Sequence, residues 1–210
     1  MALRNPAILD PTAPWGTYVM ELRPMTIETF DMLPLAEGWS FELYEGRLIR
    51  MPGPAIPHAV VQSNFFRLVG NHLYDNKLGL LLGTGCYNLP LPNKTEYLLC
   101  PDMSFVQPIR LLNTKKRGAY PILAPDLVIE IALPNDSHPQ MQNKAEVYMR
   151  SGVRLLWMAW PDEGIIDIWQ QGETMVTLGA TDTLEGGTII PGFTAPVGAF
   201  FAQLGDVPHE

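Results

Sequence analysis

PDLVIEIALP, Pro125 to Pro134, is a Pro-Asp turn that opens a run of apolar β-formers with one glutamate, Glu130, at its centre. Alternation along a strand puts Val128, Glu130 and Ala132 on one side and Leu127, Ile129 and Ile131 on the other. Apolar residues on both sides mark a strand inside an α/β core. A carboxylate there, left unpaired, would protonate rather than stay charged. Glu130 therefore needs a partner: a lysine or arginine, a set of hydrogen-bond donors, or a metal ion.

Outward from this strand the pattern is regular. PNDSHP leads into a helix, Gln140 to Ser151, ended by Gly152 in the position where glycine closes helices. VRLLWMAW then reads as a buried strand, Pro161 to Gly164 as a turn, and IIDIWQ as its antiparallel partner. TMVTL and GGTIIPGF add short C-terminal strands. Upstream, EYLLCPDMSFVQP and LGLLLGTGCYNLPL are β-rich and separated by Pro92-Asn93-Lys94, and Lys115-Lys116-Arg117-Gly118 reads as a basic surface loop. HAVVQSNFFRLVGNHLYDNK is a helix whose Val61, Phe65, Leu68, Val69 and His72 or Leu73 mark an apolar face. FELYEGRLIRMPG is a hairpin about Glu45-Gly46, preceded by a short helix capped by Thr26. The expected architecture is α/β (α+β): a mixed central sheet flanked by helices, with additional antiparallel strands at the C-terminus.

The domain expected is single, residues 25–210, behind an N-terminal arm of residues 1–24 with scattered prolines and no periodicity. With 47% apolar residues the chain is not disordered, and 20 prolines with 18 glycines favour short strands over a helical bundle. Two cysteines, Cys86 and Cys100, are too few for a disulfide scaffold or zinc finger, so reduced thiols and a cytoplasmic setting are expected. No run approaches membrane-spanning length, so no membrane partner is expected. A formal charge of −8 weighs against nucleic-acid binding by a broad basic face, leaving a local basic stripe or bound metal ions.

CPDMSFV, Cys100 to Val106, repeats the Pro-Asp opening of the glutamate strand, with Asp102 in place of Asp126. Neighbouring strands would bring Asp102 and Glu130 together, and two hard oxygen ligands with open positions suit a hydrated Mg²⁺ (or Mn²⁺). Lys144 lies one turn into the following helix, with Tyr148 on the same face, and can reach the carboxylates. Each residue also has a plain reading: Asp126 as a strand-start device, Glu130 in an internal salt bridge, Lys144 solvated, His58 as a helix cap.

The order FELYEGRLIRMPGP, His58 in a long helix, PDMSFV, PDLVIEIALP, K-x-x-x-Y-x-x-x-G-V and a late PGF resembles the Uma-two family, assigned to the PD-(D/E)XK endonuclease superfamily. The resemblance covers nearly the whole chain outside the arm. It implies a restriction-endonuclease-like fold and Mg²⁺-dependent hydrolysis of phosphodiester bonds, with DNA as the partner; a homodimer is compatible with it. It places the metal on Asp102 and Glu130 and a catalytic role on Lys144, which replaces a superfamily lysine absent at Ala132. Glu45 and His58 fall on further motif positions. Two departures stand out: Ala132-Leu133-Pro134 where the family has Leu-Ser-Pro, and His138 to Gln142 where it is rich in arginine and aspartate. The alternative is therefore a member of the same fold that binds nucleic acid or protein without cutting.

Overall fold

The computed structural model describes residues 24–33, 40–51, 53, 55–91, 96–117 and 119–204. The expected arm up to residue 23, the turn at residues 92–94 and Gly118 lie outside them. In chain order the elements are α1 (Ile27–Asp31), β1 (Ser40–Tyr44), β2 (Arg47–Met51), α2 (Ile56–Phe65), α3 (Asn71–Asp75), β3 (Leu81–Leu82), β4 (Tyr87–Asn88), β5 (Leu98–Leu99), β6 (Met103–Phe105) and α4 (Pro108–Leu112). There follow β7 (Lys116–Arg117), β8 (Tyr120–Pro121), β9 (Leu127–Ile131), α5 (His138–Ser151), β10 (Leu155–Trp160), β11 (Ile165–Gln170), β12 (Val176–Leu178), β13 (Thr183–Glu185) and β14 (Thr194–Pro196).

The centre is a mixed sheet in the order β12-β11-β10-β9-β6-β3. Only β9 and β10 run parallel in it, joined by the crossover helix α5. Every residue of β9 and β10 is buried, because both faces are covered. Leu127, Ile129 and Ile131 pack with α2 and the C-terminal residues Ile190, Phe193 and Phe200. Val128 and Ala132 face α5 through Met141, Ala145 and Tyr148. The expected alternation holds, and it puts Glu130 on the α5 side.

Helix α2 runs through a wider π-helical turn, Phe66–Gly70, into α3. Val61, Phe65, Val69 and Leu73 are all fully buried at four-residue intervals. An α-helix would rotate such a line by about 40° at each step, so the wide turn keeps it on the sheet. Phe65 packs against Phe200 with ring centroids 4.4 Å apart.

A second sheet, β2-β1-β5-β4, carries the hairpin. Its turn has Glu45 at φ 52° and Gly46 at φ 72°, the primed-turn geometry that matches strand twist. A side chain at Gly46 would press within 3.2 Å of the Met25 carbonyl. Two expectations need correction here. Cys86 and Cys100 are not free thiols but a disulfide. Tyr87 pairs with Leu99 across β4 and β5, and one more step sets the two cysteines opposite each other. The bond removes the free-thiol argument for a reducing compartment. The basic Lys116-Arg117 segment is a strand, β7, paired with β8, rather than a loop. No helix among the described residues is long and apolar enough to cross a membrane.

Candidate active site

Strand register brings the first two carboxylates together. Met103 pairs with Ile129 in the antiparallel β6–β9 ladder, and one further step sets Asp102 opposite Glu130. The Ile131 amide donates to Asp102 Oδ2 at 2.8 Å, so the aspartate is tied to the glutamate's own strand. Asp102 Oδ1 lies 3.1 Å from His58 Nε2, from the first turn of α2. One turn later Gln62 donates to the Asp102 carbonyl at 3.3 Å.

On the other side of the glutamate, α5 supplies two donors one turn apart. Lys144 Nζ lies 2.9 Å from Glu130 Oε1, and the Tyr148 hydroxyl donates to the same oxygen at 2.7 Å. The helix is fixed at its start by Ser137, whose hydroxyl and amide donate to Gln140 Oε1 at 2.7 and 3.2 Å. It begins two residues earlier than expected, at His138, which stacks on Trp160 with ring centroids 3.7 Å apart. Of the two departures from the family pattern, His138 to Gln142 thus forms the start of α5, while Ala132 to Pro134 lie between β9 and that helix.

The expected residues Asp102, Glu130, Lys144 and His58 line one cavity of about 150 Å³, together with Gln62 and Asp136. Glu45 does not. It is exposed at the hairpin turn, where the Tyr97 hydroxyl donates to it at 3.1 Å. The acid that β1 brings to the cluster is Glu42, fully buried, with Oε1 3.3 Å from Lys144 Nζ. Phe41 and Leu43 flank it, so in sequence it passes for the solvent side of an alternating strand. Asp136 is also silent in sequence; its carboxylate accepts the Leu133 amide at 2.8 Å in the loop before α5.

Asp126, the other half of the Pro-Asp repeat, stands apart from the cavity. It is fully buried, with Oδ1 2.6 Å from Arg110 and 3.2 Å from Arg154, while Oδ2 accepts the Gln107 amide at 2.9 Å. It clamps the start of β9.

Charge in the cavity is unbalanced. Burial pushes Glu130 up to about 7, with Asp102 and Glu42 adding to the rise against the pull of Lys144 and the Tyr148 hydrogen bond. Burial would lower Lys144, but Glu130 and Glu42 outweigh it and hold the ammonium charged. Burial would also lower His58; its hydrogen bond to Asp102 and the nearby carboxylates raise it instead. Four carboxylates, Asp102, Glu130, Glu42 and Asp136, thus share one ammonium and one histidine. A divalent cation fits such a surplus, since oxygen is the donor Mg²⁺ and Mn²⁺ take and Asp102 and Glu130 line the same space. Among the described residues no group of three or more His, Cys, Asp or Glu side chains is placed to hold an ion alone. Positions would remain for water and substrate.

Residues 27–198 match a family model described as "Uma2: Putative restriction endonuclease". The fold is similar to a solved structure described as a "putative nuclease belonging to DUF820 from Anabaena variabilis ATCC 29413". That likeness has a TM-score of 0.72 over 85% of this chain and 98% of the other, at 18% identity. No curated protein matches the sequence.

Proposed function

The chain belongs to the Uma2 family, and on that premise we propose that it is a metal-dependent nuclease that hydrolyses phosphodiester bonds of DNA. The observation that carries the reading is the register of β6 on β9, which sets Asp102 against Glu130 in one cavity with Lys144. Asp102 and Glu130 would hold Mg²⁺ or Mn²⁺. The ion would supply charge neutralisation at the scissile phosphate and activation of the attacking water.

The protein's own groups prepare this site. His58 and the Ile131 amide fix the two oxygens of Asp102. Tyr148 and Lys144 fix Glu130 and favour its ionised form against the cost of burial. The Lys144 ammonium borders the cavity, where it would offset charge developing on the phosphate. A bound cation also answers the chain's net charge of −8, which would otherwise repel a polyanion.

One observation favours a second reading, a non-cutting binding module: Lys144 is already engaged by two carboxylates. Incubation of pure protein with DNA or RNA in Mg²⁺, Mn²⁺ or EDTA separates the two. Metal-dependent cleavage that Asp102→Ala abolishes supports the nuclease. Binding without cleavage under every condition supports the module.

A further inference from the structure

Glu42 belongs to the cluster without lining its cavity. Its Oε1 accepts the Cys100 amide at 2.7 Å and sits 3.3 Å from Lys144 Nζ, while Oε2 is buried with no hydrogen-bond partner. A fully enclosed carboxylate is expensive to keep, and a neutral acceptor would serve the Cys100 amide equally well. What only a charge provides is a hold on Lys144.

The geometry makes that hold consequential. Lys144 lies between two anions, 2.9 Å from Glu130 and 3.3 Å from Glu42. Its charge is shared, so Glu130 is only partly compensated and keeps attraction for a cation. The same Glu42 oxygen steadies Cys100, two residues before Asp102, through the stiff Pro101.

We propose that Glu42 is a positioning residue for the metal site: by drawing the Lys144 ammonium partly off Glu130, it leaves the Glu130 charge available to a divalent cation. This rests on the assignment of Asp102 and Glu130 as metal ligands. With Glu42 neutral, Lys144 would settle wholly on Glu130 and compete with the ion.

The test is a Mn²⁺ titration of the full chain by calorimetry, without nucleic acid, arranged as a double-mutant cycle. Glu42→Gln should weaken Mn²⁺ binding about tenfold, whereas in a Lys144→Met background the same change should alter it by about twofold or less. Cleavage at saturating Mn²⁺ should then recover most of its kcat in Glu42→Gln, which a generally damaged fold would not do. If Glu42→Gln does not fold, Glu42→Asp keeps the charge but cannot span Cys100 and Lys144 together, and about a threefold weakening is expected. Unchanged affinity, or equal weakening in both backgrounds, overturns the proposal and leaves the metal ligands standing. A parent protein that binds no Mn²⁺ overturns both together.

Discussion

Lys144 donates to Glu130 across 2.9 Å with the two side chains only 5% and 6% exposed, which makes this ion pair part of the interior rather than of the surface. A pair so enclosed is sensitive to loss of one member, because the survivor is left as an uncompensated buried charge. Here the loss would strand two carboxylates, Glu130 and Glu42.

Lys144→Met should therefore lower the stability of the metal-free protein at pH 8 by about 3 kcal/mol or more. At pH 5 the deficit should shrink, as Glu130, raised to about 7 by burial, takes up a proton. Urea unfolding at the two pH values measures this. A variant as stable as the parent at pH 8 would mean that the lysine is not the partner on which the buried carboxylates depend.

A second expectation follows from Glu130 itself. Its folded value is raised from 4.5 to about 7, so between those values the folded protein holds a proton that the unfolded chain has released. Stability contributed by that proton is present at low pH and lost as pH rises through the window. His58 is also raised, and acts with the same sign from 6.5 upward. The metal-free parent should melt lower at pH 8 than at pH 5, with a clearly shallower slope in Glu130→Gln. Parallel slopes in EDTA would contradict the burial argument.

Asp126 supplies a contrast. Its clamp on Arg110 and Arg154 predicts that Asp126→Asn costs about 3 kcal/mol in unfolding free energy. The response to Mn²⁺ should stay intact in the folded variant. A lost metal response would place this aspartate in the site after all.

The disulfide closes a loop over a sequence separation of 14 residues. Replacing both cysteines by serine should cost about 3 kcal/mol, for a loop of this length. Thiol titration of the unfolded parent should find no free thiol before reduction and two after it. Two free thiols without reductant would restore the reduced state expected from composition.

Much of the central sheet was legible because its period is short and its residues are unambiguous. PDLVIEIALP could hardly be anything but a buried strand, and the alternation that singled out Glu130 also chose its face. Asp102 was legible through the same Pro-Asp opening. Asp126 shares the opening and not the site, in keeping with its reading as a strand-start device; what could not be read locally is the pair that holds it, Arg110 and Arg154, which reach it from distant segments. Glu42 was hidden for the opposite reason. Its strand alternates like a half-exposed hairpin, and its burial comes from β5 and α5, which approach it only in the folded chain. The cysteine pair was missed because counting cysteines says nothing about register between β4 and β5.

Above all, Asp102 and Glu130 should share one divalent cation. Calorimetric titration of Mn²⁺ into the parent, Asp102→Ala, Glu130→Gln and Asp126→Asn decides it. Saturable binding of one ion should appear in the parent and in Asp126→Asn, and should vanish in both Asp102→Ala and Glu130→Gln. Undiminished binding in Asp102→Ala or Glu130→Gln would contradict it.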